Sequence, residues 1–268
     1  MLLIERSGYY AWLKRTPGKR AISNEILDEK IITVFNKHKK RYGSVRIKDE
    51  LHDEGITCSK NRVAKRMKHL GLRAKARKKF KVTTDSKHNL PVAPNLLNRN
   101  FFATAPNQKW VGDISYVWTE EGWMYLAVVI DLYSRAVIGW SIQFTMSRQL
   151  ICDALMMALW RRNFPRGVIF HSDRGSQYCS YDYQKMLSTY GLLSSMSRKG
   201  NCWDNAVAES FFHSIKTELI YTERYTTREM ANQSIFYYIE AYYNRVRRHS
   251  SIGSVAPMVF ENQDKNVA

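Results

Sequence analysis

The sequence predicts a mixed α/β fold, a five-stranded sheet with helices, preceded by a basic helical module. Three observations lead there. Residues 1–100 carry 25 Lys/Arg against 9 Asp/Glu, whereas the remaining 168 residues carry 17 against 15, so nearly all of the +18 charge lies in the first part. The apolar pattern changes near residue 108 from helical spacing to strands. Three of those strands then follow one another across very short turns, before helices and strands begin to alternate.

In the first part, residues 1–81, the stretch from Ile22 to Lys39 reads as a helix. Residues 44–71 have the pattern of a helix-turn-helix. Val45, Ile47 and Leu51 form one apolar stripe, ended by Glu54-Gly55, and Ile56-Thr57-Cys58 makes the turn. Ser59 is a natural N-cap for a helix from Lys60 to Leu70, with Gly71 closing it. Val63, Met67 and Leu70 should face inward, leaving Lys60, Asn61, Arg62, Lys65, Arg66 and Lys68 outward. That set suits major-groove docking and phosphate contact; the plainer reading is a helical hairpin with a basic face. From Arg73 to Lys81 six cations, Lys78 and Lys79 among them, crowd into nine residues. Such an arm lies along phosphates without reading sequence. Residues 82–106, with Pro91, Pro94 and Pro106, read as an irregular linker.

Residues 107–222 read as the core. Strands are expected at 109–118, 122–131 and 135–143, joined at Glu120-Glu121 and Leu132-Tyr133-Ser134 into an antiparallel meander. A helix at 147–162, strand 167–172, helix 181–190, strand 192–196 and helix 205–220 follow. Residues 223–268 add a long helix, 227–244, and a tail with the basic cluster Arg247-Arg248-His249.

Three acids stand out against this frame. Asp113 interrupts the apolar run Trp110 to Trp118, Asp173 ends the run from Val168, and Glu209 lies in a helix begun at Asp204-Asn205. A carboxylate in a buried strand is costly unless paired or bound to a metal. Hard cations prefer such oxygen ligands. Taken singly, the three read as a strand-end acceptor, a turn cap and a surface acid. Among the other acids, Asp131 is expected to close a hairpin turn and Asp204 to N-cap the Glu209 helix.

Fifty-nine residues separate Asp113 from Asp173, and thirty-five separate Asp173 from Glu209. With the flanks His171-Ser172-Asp173-Arg174-Gly175-Ser176-Gln177-Tyr178, Asp204-Asn205-Ala206 and Lys216-Thr217-Glu218-Leu219, this ordered set resembles that of the DDE transposases and retroviral-type integrases. More narrowly, the chain resembles the catalytic subunit of bacterial insertion sequences whose transposase is read from two overlapping frames. Tyr243-Asn244, Arg247 to Ser251 and Pro257 extend the resemblance almost to the end of the chain.

The resemblance implies a ribonuclease H-like integrase core. In it Asp113, Asp173 and Glu209 are catalytic and hold Mg²⁺, with Mn²⁺ as substitute, as two ions ~3.5–4 Å apart. Asp113 is the bridging ligand. The resemblance assigns Lys216 to binding DNA ends, where the plainer reading is a lysine on a solvated face. From the residues themselves, Asn205 shares a helical face with Glu209 and suits support of the site or DNA contact. His171 suits proton transfer, DNA contact or a purely structural place, and Arg247 and Arg248 suit phosphate contact. The implied partners are the terminal inverted repeats and target DNA, further copies of the chain on that DNA, and a DNA-binding subunit or fusion from an upstream frame. The Gly200-Asn201 loop would order on DNA.

The four cysteines are scattered without a CxxC pair, which argues against a zinc site or a disulfide scaffold and fits a reducing cytosol. The longest apolar run, Trp123 to Ile130, falls far short of the roughly 20 residues of a membrane span. Glu5 and Arg6 interrupt the N-terminal apolar residues, so no secretory signal is expected, and the location expected is the bacterial cytoplasm at the nucleoid. Three other functions remain open on sequence grounds: a ribonuclease H-like nuclease without joining, a non-catalytic DNA-binding regulator, and a covalent tyrosine or serine recombinase. The last predicts neither metal dependence nor three spaced acids.

Overall fold

The computed structural model describes residues 6–75 and 90–265. It divides into two compact units, residues 1–76 and 77–268. The cations Lys78 and Lys79 lie outside the described residues.

The first unit is helical: α1 (Arg6–Leu13), α2 (Lys19–Lys37), α3 (Ser44–Asp53) and α4 (Lys60–His69). Its core is built from one apolar stripe on each of three helices. Leu27, Ile31, Val34 and Phe35 of α2 meet Ile47 and Leu51 of α3 and Val63 and Met67 of α4. Val45, expected in that stripe, is instead exposed. The Ser59 hydroxyl caps α4 by accepting from the Arg62 N–H at 3.2 Å. At the other end Gly71 takes φ +67° and lets the Leu72 N–H reach back to the Met67 carbonyl, the closure for which glycine is favoured. Helix α1 was not expected and buries none of its residues.

The second unit holds a five-stranded sheet in the order β3-β2-β1-β4-β5. The strands are β1 (Lys109–Thr119), β2 (Gly122–Asp131), β3 (Val137–Gln143), β4 (Ile169–Ser172) and β5 (Leu193–Met196). The first three form the expected antiparallel meander, and β4 and β5 join parallel to β1 and to each other. β3 starts two residues later than expected because residues 131–136 close a turn in which Arg135 has φ +65°. Asp131 does hold that turn, accepting from the Tyr133 N–H at 3.0 Å and the Asn107 N–H at 2.9 Å.

Helices α5 (Arg148–Arg161), α6 (Tyr181–Thr189), α7 (Ala206–Glu218), α8 (Arg228–Phe236) and α9 (Pro257–Lys265) complete the unit. The expected helix 227–244 is present as α8, but its winding changes to π over Tyr237–Tyr243. Residues 90–106 have no regular element, yet they are not a detached linker. Leu97 is buried, and the Leu96 and Leu97 N–H groups donate to the Ser195 hydroxyl on β5.

Two features of the sheet create the site. β4 pairs with β1 only at Lys109, Trp110 and Val111, so the β4-side edge of β1 opens from Gly112 onward. In the order β3-β2-β1-β4-β5 the chain runs outward from β1 in one direction through β2 and β3, and in the other through β4 and β5. Open α/β sheets form crevices where the strand order reverses. Helix α5 packs so tightly on β3 that a Cβ at Gly139 would meet the Ala154 carbonyl at 2.2 Å. Gly139→Ala should therefore cost about 1–3 kcal/mol of stability, lowering Tm by about 2–4 °C for each kcal/mol in a chain this long. An unchanged melting curve would contradict the close approach.

Candidate active site

Asp113 sits on the open edge of β1 and Asp173 just past the end of β4, and both line one pocket with Tyr116, Tyr125, Gln177 and Tyr178. Local backbone shapes each carboxylate. Asp113 Oδ1 accepts from the Ile114 N–H at 2.8 Å. Asp173 Oδ1 accepts from the Gly175 N–H at 2.9 Å. A Cβ on Gly175 would come within 3.0 Å of that same oxygen, so a larger residue there would push the carboxylate aside. Gly112 is needed for a similar reason, since a Cβ would meet the Phe170 ring at 2.7 Å.

Burial, and then the nearby charges of Asp173 and Glu209, push the Asp113 carboxyl well above the usual range; the Ile114 N–H and Lys216 oppose this. Crowded carboxylates of this kind suit a hard divalent cation, whose charge relieves the repulsion. The third acid stands apart. Glu209 lies in the first turn of α7, exposed, with its carboxyl pushed up by partial burial, and it does not line the pocket. Among the described residues, no three His, Cys, Asp or Glu side chains are grouped closely enough to hold one metal ion.

Helix α7 is hung on β1 by Asn205, whose side-chain amide donates to the Gly112 carbonyl at 3.2 Å, next to Asp113. Asn205 thus links the helix that carries Glu209 to the strand that carries Asp113. Asp204, expected to cap α7, does something else. Its buried carboxylate accepts from Arg99, Arg198 and Asn95, at 2.7–3.0 Å. This clasp ties residues 95–99 to the loop before α7. Asn201, in the loop expected to order on DNA, also accepts from Arg99 at 2.7 Å. The Asp204 carboxyl is held well below the usual range, first by the Arg198 hydrogen bond.

Several cations expected at a DNA surface are structural. Arg247 is only 4% exposed and forks onto Glu218 at 2.8–3.1 Å, with Ser214 and Tyr238 completing the cluster. Arg248 donates to the Ser254 carbonyl at 2.9 Å. The acid that Arg247 satisfies lies 29 residues earlier in the chain, which the local sequence does not reveal. Arg62 reaches back to Ser23 and Asn24, and Arg66 is paired with Asp28, both bridging α4 to α2. Lys60, Asn61 and Lys65 are exposed as expected.

Lys216 is buried, with its ammonium 4.8 Å from the centre of the Tyr116 ring, and burial lowers its pKa against the pull of Asp113. It is packed against Tyr116, a residue of the pocket wall, rather than set on an outer basic face. His171 is also buried. The Ser195 hydroxyl accepts from two backbone N–H groups, so its hydrogen goes to His171 Nδ1 at 2.8 Å, leaving Nε2 to donate to Ser197. Burial drops its pKa to about 4, and this neutral imidazole ties β4 to β5 rather than moving protons. Tyr178, buried within the pocket wall, was not expected there. Its place five residues after Asp173, beyond a glycine turn, is the only sequence signal for it.

Comparison with known proteins adds the family context. Integrase core domain models match residues 103–202 and 209–264, and an HTH-like domain model matches residues 22–80. The chain is 51% identical to the transposase InsF of insertion sequence IS3A from Escherichia coli K12, covering 100% of this chain and 93% of that one. It is 45% identical to an uncharacterized 31 kDa protein of insertion element IS600 from Shigella sonnei, covering 99% and 97%. Among solved structures, the simian T-cell lymphotropic virus intasome in complex with the PP2A regulatory subunit B56 gamma matches with a TM-score of 0.50 at 13% identity. That match covers 86% of this chain and 74% of that one, and it supports the ribonuclease H-like, integrase-type fold.

The clasp around Asp204 is open to measurement. Asp204→Asn should lower Tm near neutral pH. A carboxyl depressed in the folded state stabilises above its unfolded value, about 3.9, and loses that contribution as pH falls further. The gap between wild type and Asp204→Asn should therefore close below about pH 4. A gap independent of pH would show that the charge of Asp204 is not what holds the loop.

Proposed function

The chain belongs to the transposases of IS3-type insertion sequences, enzymes of the polynucleotidyl transferase class, and from that premise we propose a metal-dependent two-step reaction. The ends of the element are first cut by hydrolysis: a water oxygen bonds to phosphorus, and the 3′ oxygen leaves with a proton. The freed 3′-hydroxyl then attacks a phosphorus of the target strand. A new phosphodiester forms, and the target's own 3′ oxygen leaves as a hydroxyl, gaining one proton for the one the attacking hydroxyl gives up.

The observation that carries this reading is the pair of carboxylates converging on one pocket at the open edge of β1. In the proposal Asp113 and Asp173 hold divalent ions, Mg²⁺ or its substitute Mn²⁺, and Asp113 is shared where two are bound. Such ions supply Lewis-acid stabilisation for charge developing on the phosphoryl oxygens. Glu209 completes the set by turning its long side chain inward from the first turn of α7. Asn205 keeps that helix in register with Asp113, and Tyr116 and Tyr178 shape the wall against which the phosphate rests, with Lys216 packed behind Tyr116. The charge of Lys216 offsets part of the carboxylate repulsion.

The basic first unit supplies DNA affinity, with Lys60, Asn61 and Lys65 on α4 as the contacting residues and Lys78 and Lys79 as phosphate contacts beyond it. Recognition of terminal inverted repeats and target DNA, assembly of several copies on that DNA, and cooperation with an upstream-frame DNA-binding subunit or fusion follow from the family reading. No helix among the described residues is long and apolar enough to cross a membrane, and the proposed place of work is the bacterial nucleoid in the cytoplasm. A nuclease that never joins strands is the reading to be tested against this one.

The test is a joining assay with labelled element-end DNA in Mg²⁺, Mn²⁺ or EDTA. Asp113→Asn, Asp173→Asn and Glu209→Gln should each abolish cleavage and joining while DNA binding persists. Joining that survives any of the three would defeat the assignment. Cleavage without joining in the wild type would favour the nuclease. On α4, Lys60→Ala and Lys65→Ala should weaken DNA binding and each flatten its salt dependence by about one unit of log–log slope. Arg66→Ala should instead lower the melting temperature, because it unties α4 from α2; the reverse pattern would reassign the DNA-facing side of the helix.

A further inference from the structure

We propose that an exposed aromatic stripe on the β1–β2 hairpin is a stacking platform for unpaired bases of the DNA strand whose phosphate enters the carboxylate pocket. The inference rests on the catalytic reading above and adds to it a site for bases rather than phosphates.

The stripe follows from strand geometry. Alternation along β1 and the antiparallel register put Ile114, Tyr116 and Trp118 on the same face as Ala127, Tyr125 and Trp123, in that pairing order. Helix α5 and the core cover this face around Ala127, with Ile114 and Tyr125 packed against them. Cover ends there. Trp118 and Trp123, directly opposite each other, are 55% and 45% exposed. Their ring centroids lie 4.8 Å apart at 68°, and Trp123 meets Tyr116 edge-on at 5.2 Å. Tyr116 is itself a wall of the pocket that holds Asp113 and Asp173. The aromatic surface is thus continuous from the carboxylates to the hairpin end.

Scattered exposed apolar side chains are ordinary, but a contiguous patch of them marks a binding surface. Charge decides which partner fits. The Lys216 ammonium lies over the Tyr116 ring, and the Arg228 guanidinium lies 4.6 Å from the centre of the neighbouring exposed Phe144 ring. Cations over two of these rings, on a surface that runs into the pocket proposed to take a DNA phosphate, favour a nucleotide strand over a second copy of the chain. Bases offer flat surfaces that stack on tryptophan whatever their sequence, and their phosphates suit the neighbouring cations. In duplex DNA those surfaces are hidden, so the platform would favour bases unpaired beside the cut.

The hairpin end does not need the tryptophans to keep its place. The Glu120 N–H donates to the Tyr225 carbonyl at 3.0 Å, the Arg228 N–H donates to Glu121, and Arg224 pairs with Glu120. The rings are therefore presented on a support fixed by other contacts, and they can be replaced without loss of the fold.

The experiment compares the full chain with Trp118→Ala and Trp123→Ala, each matched by a phenylalanine replacement. Labelled end duplexes carry either paired or mismatched bases flanking the scissile phosphate. The alanine variants should cleave paired ends roughly tenfold more slowly, as expected for loss of a base–aromatic stack. Phenylalanine should keep most of the rate, and mismatches should restore most of the alanine loss. A second readout needs no catalysis: 5-iodouracil in the flank should photo-cross-link to Trp118 or Trp123 in the Asp173→Asn protein. Wild-type rates in both alanine variants, without cross-links, overturn the platform and leave the transposase reading standing. Cross-links to a wild type that never cleaves support the platform and count against the catalytic reading. An oligomer that dissociates on alanine substitution, with paired and mismatched ends equally affected, gives the stripe to a second copy and also overturns the proposal.

Discussion

Repulsion between carboxylates at the open edge of β1 is the constraint on which the rest of the catalytic unit depends. Asp113 and Asp173 would relax apart if the backbone allowed it. They are held because each is locked to its own neighbouring N–H and because two glycines let the surrounding chain approach closely. The strain appears as an Asp113 carboxyl that resists ionisation, first through burial and then through its acidic neighbours. A folded protein keeps such an arrangement at a cost in stability, and a bound cation removes the cost.

Much of the surrounding structure holds α7 against that edge. At its start Asn205 bonds to Gly112, and at its end Glu218 is captured by Arg247 and Tyr238. Ahead of it, the Asp204 clasp fixes the loop to residues 95–99. On the far side, the neutral His171 joins β4 to β5 through two serine hydroxyls. These are buried polar contacts, each costly to leave unsatisfied. They position the site without touching the proposed chemistry. Glu209, at the exposed beginning of α7, is the one acid whose side chain is left outside the pocket.

The distribution of cations shows the limit of reading charge along a chain. Arg62, Arg66, Arg247 and Arg248 occupy stretches as basic as Lys60 or Lys65, yet each is tied into its own unit by a carboxylate, amide, hydroxyl or carbonyl. The arginine fork suits that use, since it can satisfy several acceptors at once, whereas the lysines of α4 stay in solvent. The partners concerned lie from six to thirty-nine residues away in sequence.

The amino-acid sequence by itself determined the elements and their order, α1 excepted, because strand and helix periodicities, caps and turn residues act over a few neighbours. That was enough for the three-stranded meander, the Ser59 cap, the Asp131 turn and the three spaced acids on their elements. The unexposed roles of Lys216, His171 and Asp204, the packing of residues 90–106, the π winding after α8 and the aromatic stripe were decided only by tertiary structure. Burial and long-range partners set whether a lysine is packed against a ring or left as a surface charge. They also set whether a tryptophan in a strand is core or platform, and neither is encoded in the residues next to it.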